Sequence, residues 1–186
     1  MSDPRHPYRD YPRKAGATAR TRASAAALWE VVTHVGGENR YFALDFLWTV
    51  REWMDAAVGG PGLKRGRTTQ GPLQPGDWID SWEVLVAEHQ SVLALRFNMK
   101  APGEGVLEFR IDPFHGGASV TVTAWWKPQG TAGALYWAAM LPAHVVLFKR
   151  MTAEICRRAE VLEQGGAETV ETDDMNARSG LSPAQG

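Results

Sequence analysis

Apolar positions along this chain keep two different rhythms, and the change of rhythm marks out the elements. From Trp78 to Lys127 they recur every second residue, the period of a strand with one covered face. Trp78–Glu88, Ser91–Lys100, Gly105–Asp112 and Ala118–Lys127 are predicted as strands. They are separated by Glu88-His89-Gln90, Ala101-Pro102-Gly103 and His115-Gly116-Gly117. Connections this short imply an antiparallel meander. Leu93, Leu95, Phe97 and Met99 share one face of the second strand, and Leu107, Phe109 and Ile111 share one face of the third. Asp80, Trp82, Val84 and Val86 are expected on one face with Trp78.

On either side of the meander the spacing shifts to threes and fours. Ala17–Ala23 reads as a first strand, with Ser24 as N-cap of a helix from Ala25 to Val35 that Gly36-Gly37 stops. A second amphipathic helix is predicted over Ala43–Val58, and Arg67–Leu73 as a further short strand. The chain closes with a helix from Thr131 to Leu162. Its inner stripe is Trp137, Leu141, His144, Phe148, Met151, Ile155 and Leu162, and Pro142 removes one of its backbone hydrogen bonds. The expected architecture is α+β: a curved antiparallel sheet wrapped around a long C-terminal helix, with two short helices after the first strand.

The ends carry no such rhythm. Residues 1–16 are rich in proline and charge, and residues 164–186 in Gly, Glu, Asp and Ser, so both are expected to be disordered tails around a domain of residues 17–163. A formal net charge of −1 argues against a general nucleic-acid partner. One cysteine, Cys156, allows no internal disulfide, which suits a reducing compartment and a cytoplasmic location. The most apolar run, Ala134–Phe148, is shorter than the roughly 20 residues of a membrane helix and holds Pro142 and His144, so no integral membrane segment is expected. Five scattered histidines and one thiol make a zinc site improbable. All 8 tryptophans fall between Trp29 and Trp137, where large rings fill a core or line a cavity.

A series of segments resembles a known family. They are Gly36-Gly37 with Tyr41; Asp45-Phe46-Leu47-Trp48; Arg51, Trp53 and Asp55; Gly59–Arg67; Gly76-Asp77 with Asp80 and Trp82; Met99–Gly103; Leu107-Glu108-Phe109; Tyr136-Trp137; and Leu141-Pro142 with His144 and Phe148. Together they resemble the bacterial domain-of-unknown-function 2867 family, within the SRPBCC (START-like, helix-grip) superfamily, over about Ala17–Glu163. Arg40, Glu83 and Val106 depart from the family's usual residues. The resemblance implies the helix-grip fold and a ligand cavity between sheet and helix. It also implies a possible separate NAD(P)-binding, dehydrogenase-like partner, since family members often follow such a domain. This chain carries no G-x-G-x-x-G after a strand, and no cofactor is expected.

The candidate site is the seam between sheet and helix. An apolar or aromatic ligand is expected against Trp48, Trp53, Trp82, Phe97, Met99, Phe109, Trp137, Leu141, His144 and Phe148, although such a stripe is more often plain core. His144 and Asp80 are the candidate acid/base groups, with Tyr136 or Tyr41 holding an oxygen in a cyclase, dehydratase or hydrolase. The bland alternatives are a core histidine bonded to a carbonyl or to Asp80 and an inward aspartate satisfied by Arg96 or a backbone group. Gly59–Arg67 is a basic, glycine-rich turn without the ending of a P-loop. Glu108 is expected to face solvent, paired with Arg96 or Asn98. Three functions stay open: a small-molecule binding domain, an enzyme working through His144 or Asp80, and an interaction module for a dehydrogenase-like partner.

Overall fold

A computed structural model of the chain describes residues 3–34, 71–79, 82–97 and 101–179, with side chains through residue 165. The predictions made for Gly36-Gly37, Ala43–Val58, Gly59–Arg67, Asp80 and Met99 lie outside the described residues, as do Tyr41, Trp48 and Trp53.

Six strands form one antiparallel sheet in the order β1-β6-β5-β4-β3-β2. They are β1 (Arg13–Thr21), β2 (Trp78–Ile79), β3 (Trp82–Glu88), β4 (Val92–Phe97), β5 (Gly103–Phe114) and β6 (Gly117–Pro128). Helix α1 covers Ala25–Thr33 and helix α2 covers Gly130–Ser179. Ser24 caps α1 as expected, its hydroxyl accepting the Ala27 N–H at 3.2 Å.

The concave face explains how a helix fits into the sheet. Helix α2 lies across β1 and β6 and against α1. Beneath it β1 presents only Ala15, Ala17 and Ala19, small side chains that let the helix backbone come close. Larger groups fill the remaining depth: Leu93, Leu95, Leu107, Phe109 and Ile111 from β4 and β5, and Phe148, Met151 and Ile155 from α2. Thr152 lies among them with its hydroxyl donating to the Phe148 carbonyl at 2.9 Å, so the polar atom there is satisfied. Burying one ring of the size of Phe109 contributes about 2–3 kcal/mol.

Four expectations are corrected. First, Trp78 and Trp82 do not belong to one strand. Trp78 pairs with Glu83 and Ile79 with Trp82, which places Trp82 on the concave face and Trp78 on the convex one. Second, the β3–β4 register shifts between Val84 and Val86, so Val84 joins the main core while Val86 turns to the opposite face. Third, Leu141 and Leu162 are exposed rather than part of the inner stripe; the first lies at the flank of that stripe.

The fourth correction concerns the ends. Strand β1 starts at Arg13, and α2 continues past Leu162 to Ser179. Ahead of β1, a single 3-10 turn at Pro7–Asp10 lies over the convex face, burying His6 and Tyr8. Tyr8 packs with Ala94 and Val106, with Leu85, Val86, Tyr11 and Trp125 at the margin. A few aromatic anchors bring in enough apolar area to hold a segment whose average composition looks disordered. At the other end, the Glu163 carboxylate accepts the Ser24 N–H at 3.1 Å, tying α2 to the start of α1.

Candidate functional site

Along the inner side of the first turns of α2 the aromatic rings form a continuous column. Trp126 of β6 stacks on Trp137 (ring centroids 6.4 Å apart, 12° between planes) and tilts against Tyr136 at 5.2 Å. Trp137 meets His144 at 5.1 Å, and His144 stacks on Phe148 at 5.3 Å and 17°. The spacing of 137, 144 and 148 along one helix produces this order.

Adjacent rows of the sheet continue it. Trp82 and Phe97 are direct cross-strand partners with rings 5.3 Å apart; Phe97 pairs with Gly105, and Gly105 with Trp126. These four positions cross one end of the concave face, with a glycine at the β5 position. A Cβ on Gly105 would stand 3.3 Å from the Trp126 ring, and one on Gly103 would stand 2.5 Å from it. The two glycines therefore leave the room in which the indole lies across β5. The indole is fixed by its N–H, which donates to the Gly133 carbonyl at 3.1 Å in the first turn of α2.

Of the adjacent pair Trp125-Trp126, the second faces in. Adjacent positions on a strand alternate, so one of the two rings had to face in, but alternation alone does not say which face is concave. Phe109 and Phe148 are part of the packed core, Trp137 is buried, and Trp82 and Phe97 are half-buried beside it.

His144 is the polar member of the column. Its Nδ1 is buried and has no hydrogen-bond partner among the described residues, and burial holds its pKa below the ordinary histidine value. Neutral imidazole is thus the form at pH 7, with a nitrogen free to meet an incoming group. Tyr136 is half-buried, and burial pushes its phenol pKa upward, so it too is protonated and able to donate. The column therefore offers an apolar aromatic wall with two neutral polar points. Among the described residues no group of three His, Cys, Asp or Glu side chains is placed to hold a metal.

A second polar cluster lies on the convex face, where the sequence reading put Glu108 in solvent. Glu108 does face away from α2, yet it is only 4% exposed. The Tyr8 hydroxyl donates to its Oε2 at 2.6 Å and the Arg9 Nε donates to the same oxygen at 2.7 Å. Arg96 pairs instead with Glu83, at 2.8 Å. A separate open groove of about 910 Å³ lies beyond the opposite end of the sheet, lined by Arg20, Arg22, Phe114, Glu160 and Glu163. Its carboxylates are partly engaged, Glu160 by Thr21 and Glu163 by Ser24.

An antiparallel sheet closed over one long helix, with aromatics at their seam, defines the helix-grip class of α+β domains. Residues 14–151 match the family described as protein of unknown function (DUF2867), and the chain belongs to that family. No curated protein matches the sequence. Among solved structures, SA2116 from Staphylococcus aureus is similar in fold, with a TM-score of 0.51 at 9% identity over 82% of this chain and 96% of that one. The Polyketide_cyc-like protein Cgl2372 from Corynebacterium glutamicum is similar at a TM-score of 0.47 and 13% identity, covering 82% and 93% of the two chains. CalU16 from Micromonospora echinospora gives 0.41 and 15% identity, covering 86% and 88%.

Proposed function

We propose that this protein binds an apolar or aromatic small molecule at the end of the sheet–helix seam marked by Trp82, Phe97, Trp126, Trp137 and His144. The observation that carries this reading is the buried Nδ1 of His144, without a partner among the described residues, within an otherwise apolar column of rings. A buried polar atom with no partner costs about 1–3 kcal/mol, and a ligand with one hydrogen-bonding group on an aromatic body would remove that cost. Toward the C-terminal half of the domain, Phe109, Met151 and Ile155 fill the seam, so the ligand belongs to the other end.

The same nitrogen supports a second reading, in which neutral His144 takes up a proton from a bound substrate as a general base. Native mass spectrometry of the purified protein, with extraction of whatever copurifies, tests the binding reading. A bound aromatic or apolar compound whose occupancy falls in Trp137→Ala and His144→Phe supports it. An empty protein with no thermal shift across a panel of lipids and aromatic metabolites would sink it. Chemical change of the copurified compound on incubation, lost in His144→Phe, would favour the enzyme reading over simple binding.

A further inference from the structure

The side of α2 turned away from the sheet has its own pattern. Leu135 is 70% exposed, Val145 46% and Val146 53%, and Ala138, Ala139 and Pro142 between them are exposed as well. These positions follow one another by threes and fours, so they make one stripe, about 20 Å long at 1.5 Å per residue. Helix residues Gly130–Gly165 include a stretch long and apolar enough to cross a membrane, of which only 22% is buried. The opposite side of the same turns is committed to the sheet through Trp137, Leu147 and Phe148. With that side held against the sheet, the exposed stripe can meet a membrane by lying on its surface.

Charge selects the surface. From Pro128 to Ala153 the sequence contains no Asp or Glu, and its only charged residues are Lys149 and Arg150. Both are exposed, and neither has an ion pair among the described residues. The two cations stand at the C-terminal end of the apolar stripe, where long side chains can lay their carbon stems over the hydrocarbon boundary and reach phosphate. A second copy of the chain fits this face poorly. An antiparallel pair would put Lys149 and Arg150 against the partner's apolar end, a parallel pair would put like charges together, and the stripe contains no carboxylate to meet them.

We propose that this outer face of α2, from Leu135 to Arg150, docks on the surface of a bilayer containing anionic phospholipid. Leu135, Val145 and Val146 enter the headgroup boundary, and Lys149 and Arg150 contact lipid phosphate. The aromatic column faces inward from the same turns, so a docked domain holds its seam directly above the lipid. The interaction surface stands on the exposure and charge pattern, independently of which ligand the seam takes.

Vesicle co-sedimentation of the full chain tests the proposal. Phosphatidylcholine vesicles containing about one-third phosphatidylglycerol are expected to carry the protein down, with binding reduced at least roughly tenfold on pure phosphatidylcholine or in high salt. Leu135→Asp/Val146→Asp and Lys149→Glu/Arg150→Glu should each reduce binding by a similar factor while leaving the thermal melt unchanged, because all four side chains are exposed. Absence of binding to the anionic vesicles would overturn the proposal. Equal binding by both double variants, or equal binding to pure phosphatidylcholine, would also overturn it. A concentration-dependent dimer by light scattering that Leu135→Asp/Val146→Asp dissolves would replace the bilayer with a second copy of the chain.

Discussion

Removing the Glu108 carboxylate should unlatch the N-terminal segment from the back of the sheet. The carboxylate is nearly inaccessible, and one oxygen accepts both the Tyr8 hydroxyl and the Arg9 Nε, at 2.6 and 2.7 Å. Tyr8 is held protonated by burial and by this same bond, which raise its pKa far above the ordinary phenol value. The latch is therefore a neutral donor and a cation converging on one buried anion. A hydrogen bond to a charged acceptor contributes about 1.5–3 kcal/mol, so Tyr8→Phe, which removes one bond and little volume, should cost about that much. Glu108→Ala strips the partner from Arg9, whose Nη2 is already buried without one among the described residues, and should cost about 3–5 kcal/mol. Glu108→Gln keeps the shape and an acceptor oxygen but loses the charge, and should fall between the wild type and Glu108→Ala.

Urea unfolding at pH 7 provides the free energies, and a double-mutant cycle of Tyr8→Phe with Glu108→Gln isolates the bond between them. Direct partners should be non-additive by about 0.5 kcal/mol or more. In thermal melts each kcal/mol lost should lower Tm by about 2–4 °C. Additive effects in the cycle, or a Glu108→Ala protein as stable as the wild type, would refute the latch and return residues 3–12 to the status of a tail. Limited proteolysis supplies an independent reading: cleavage ahead of Arg13 should be slow in the wild type and fast in Glu108→Ala.

Two further outcomes follow from the seam. Burial lowers the His144 pKa in the folded protein, so the unfolded chain binds the proton more readily below the ordinary value near 6.5. Stability attributable to this residue is thus complete above that pH and is lost progressively as pH falls through the window down to the lowered value; His144→Phe should flatten that part of the stability–pH curve, measured by urea unfolding between pH 7.5 and 5, and an unchanged slope would contradict the burial argument. A methyl group at position 103 would meet both the Trp126 ring at 2.5 Å and the Lys127 carbonyl at 2.6 Å, so Gly103→Ala should cost about 1–3 kcal/mol and shift tryptophan emission; a variant with wild-type stability and spectrum would show that the indole does not lie across β5.

What the sequence displayed and what it concealed divide along a physical line. Period two revealed the meander and the shared faces of Leu93–Phe97 and Leu107–Ile111, because alternation follows from backbone pleat alone. The same alternation correctly turned Glu108 away from α2 but could not say that another segment covers it, since coverage by Tyr8 and Arg9 is a contact a hundred residues distant in the chain. It also carried Trp78 and Trp82 through as one strand, and it was blind to the register shift that turns Val86 over, because both depend on pairing rather than on pattern. Of the residues expected from the sequence, Trp137, His144 and Phe148 meet ring to ring along α2 and Trp82 meets Phe97 across the sheet, while Leu141 is exposed. Trp126 joins them because Gly105 stands opposite it across the ladder, a pairing visible only after the register is known. The helix gives the sharpest case. A spacing of threes and fours identified one apolar stripe, yet α2 carries two, on opposite sides of the same turns. One is buried by the sheet and the other is exposed, and the absence of any Asp or Glu between Lys127 and Glu154 is the sequence signal that separates this helix from an ordinary core element with a solvated back. Burial of the inner stripe accounts for the fold, but it gives no reason to keep the outer stripe free of carboxylates; docking on an anionic surface through Lys149 and Arg150, which have no ion pair among the described residues, does.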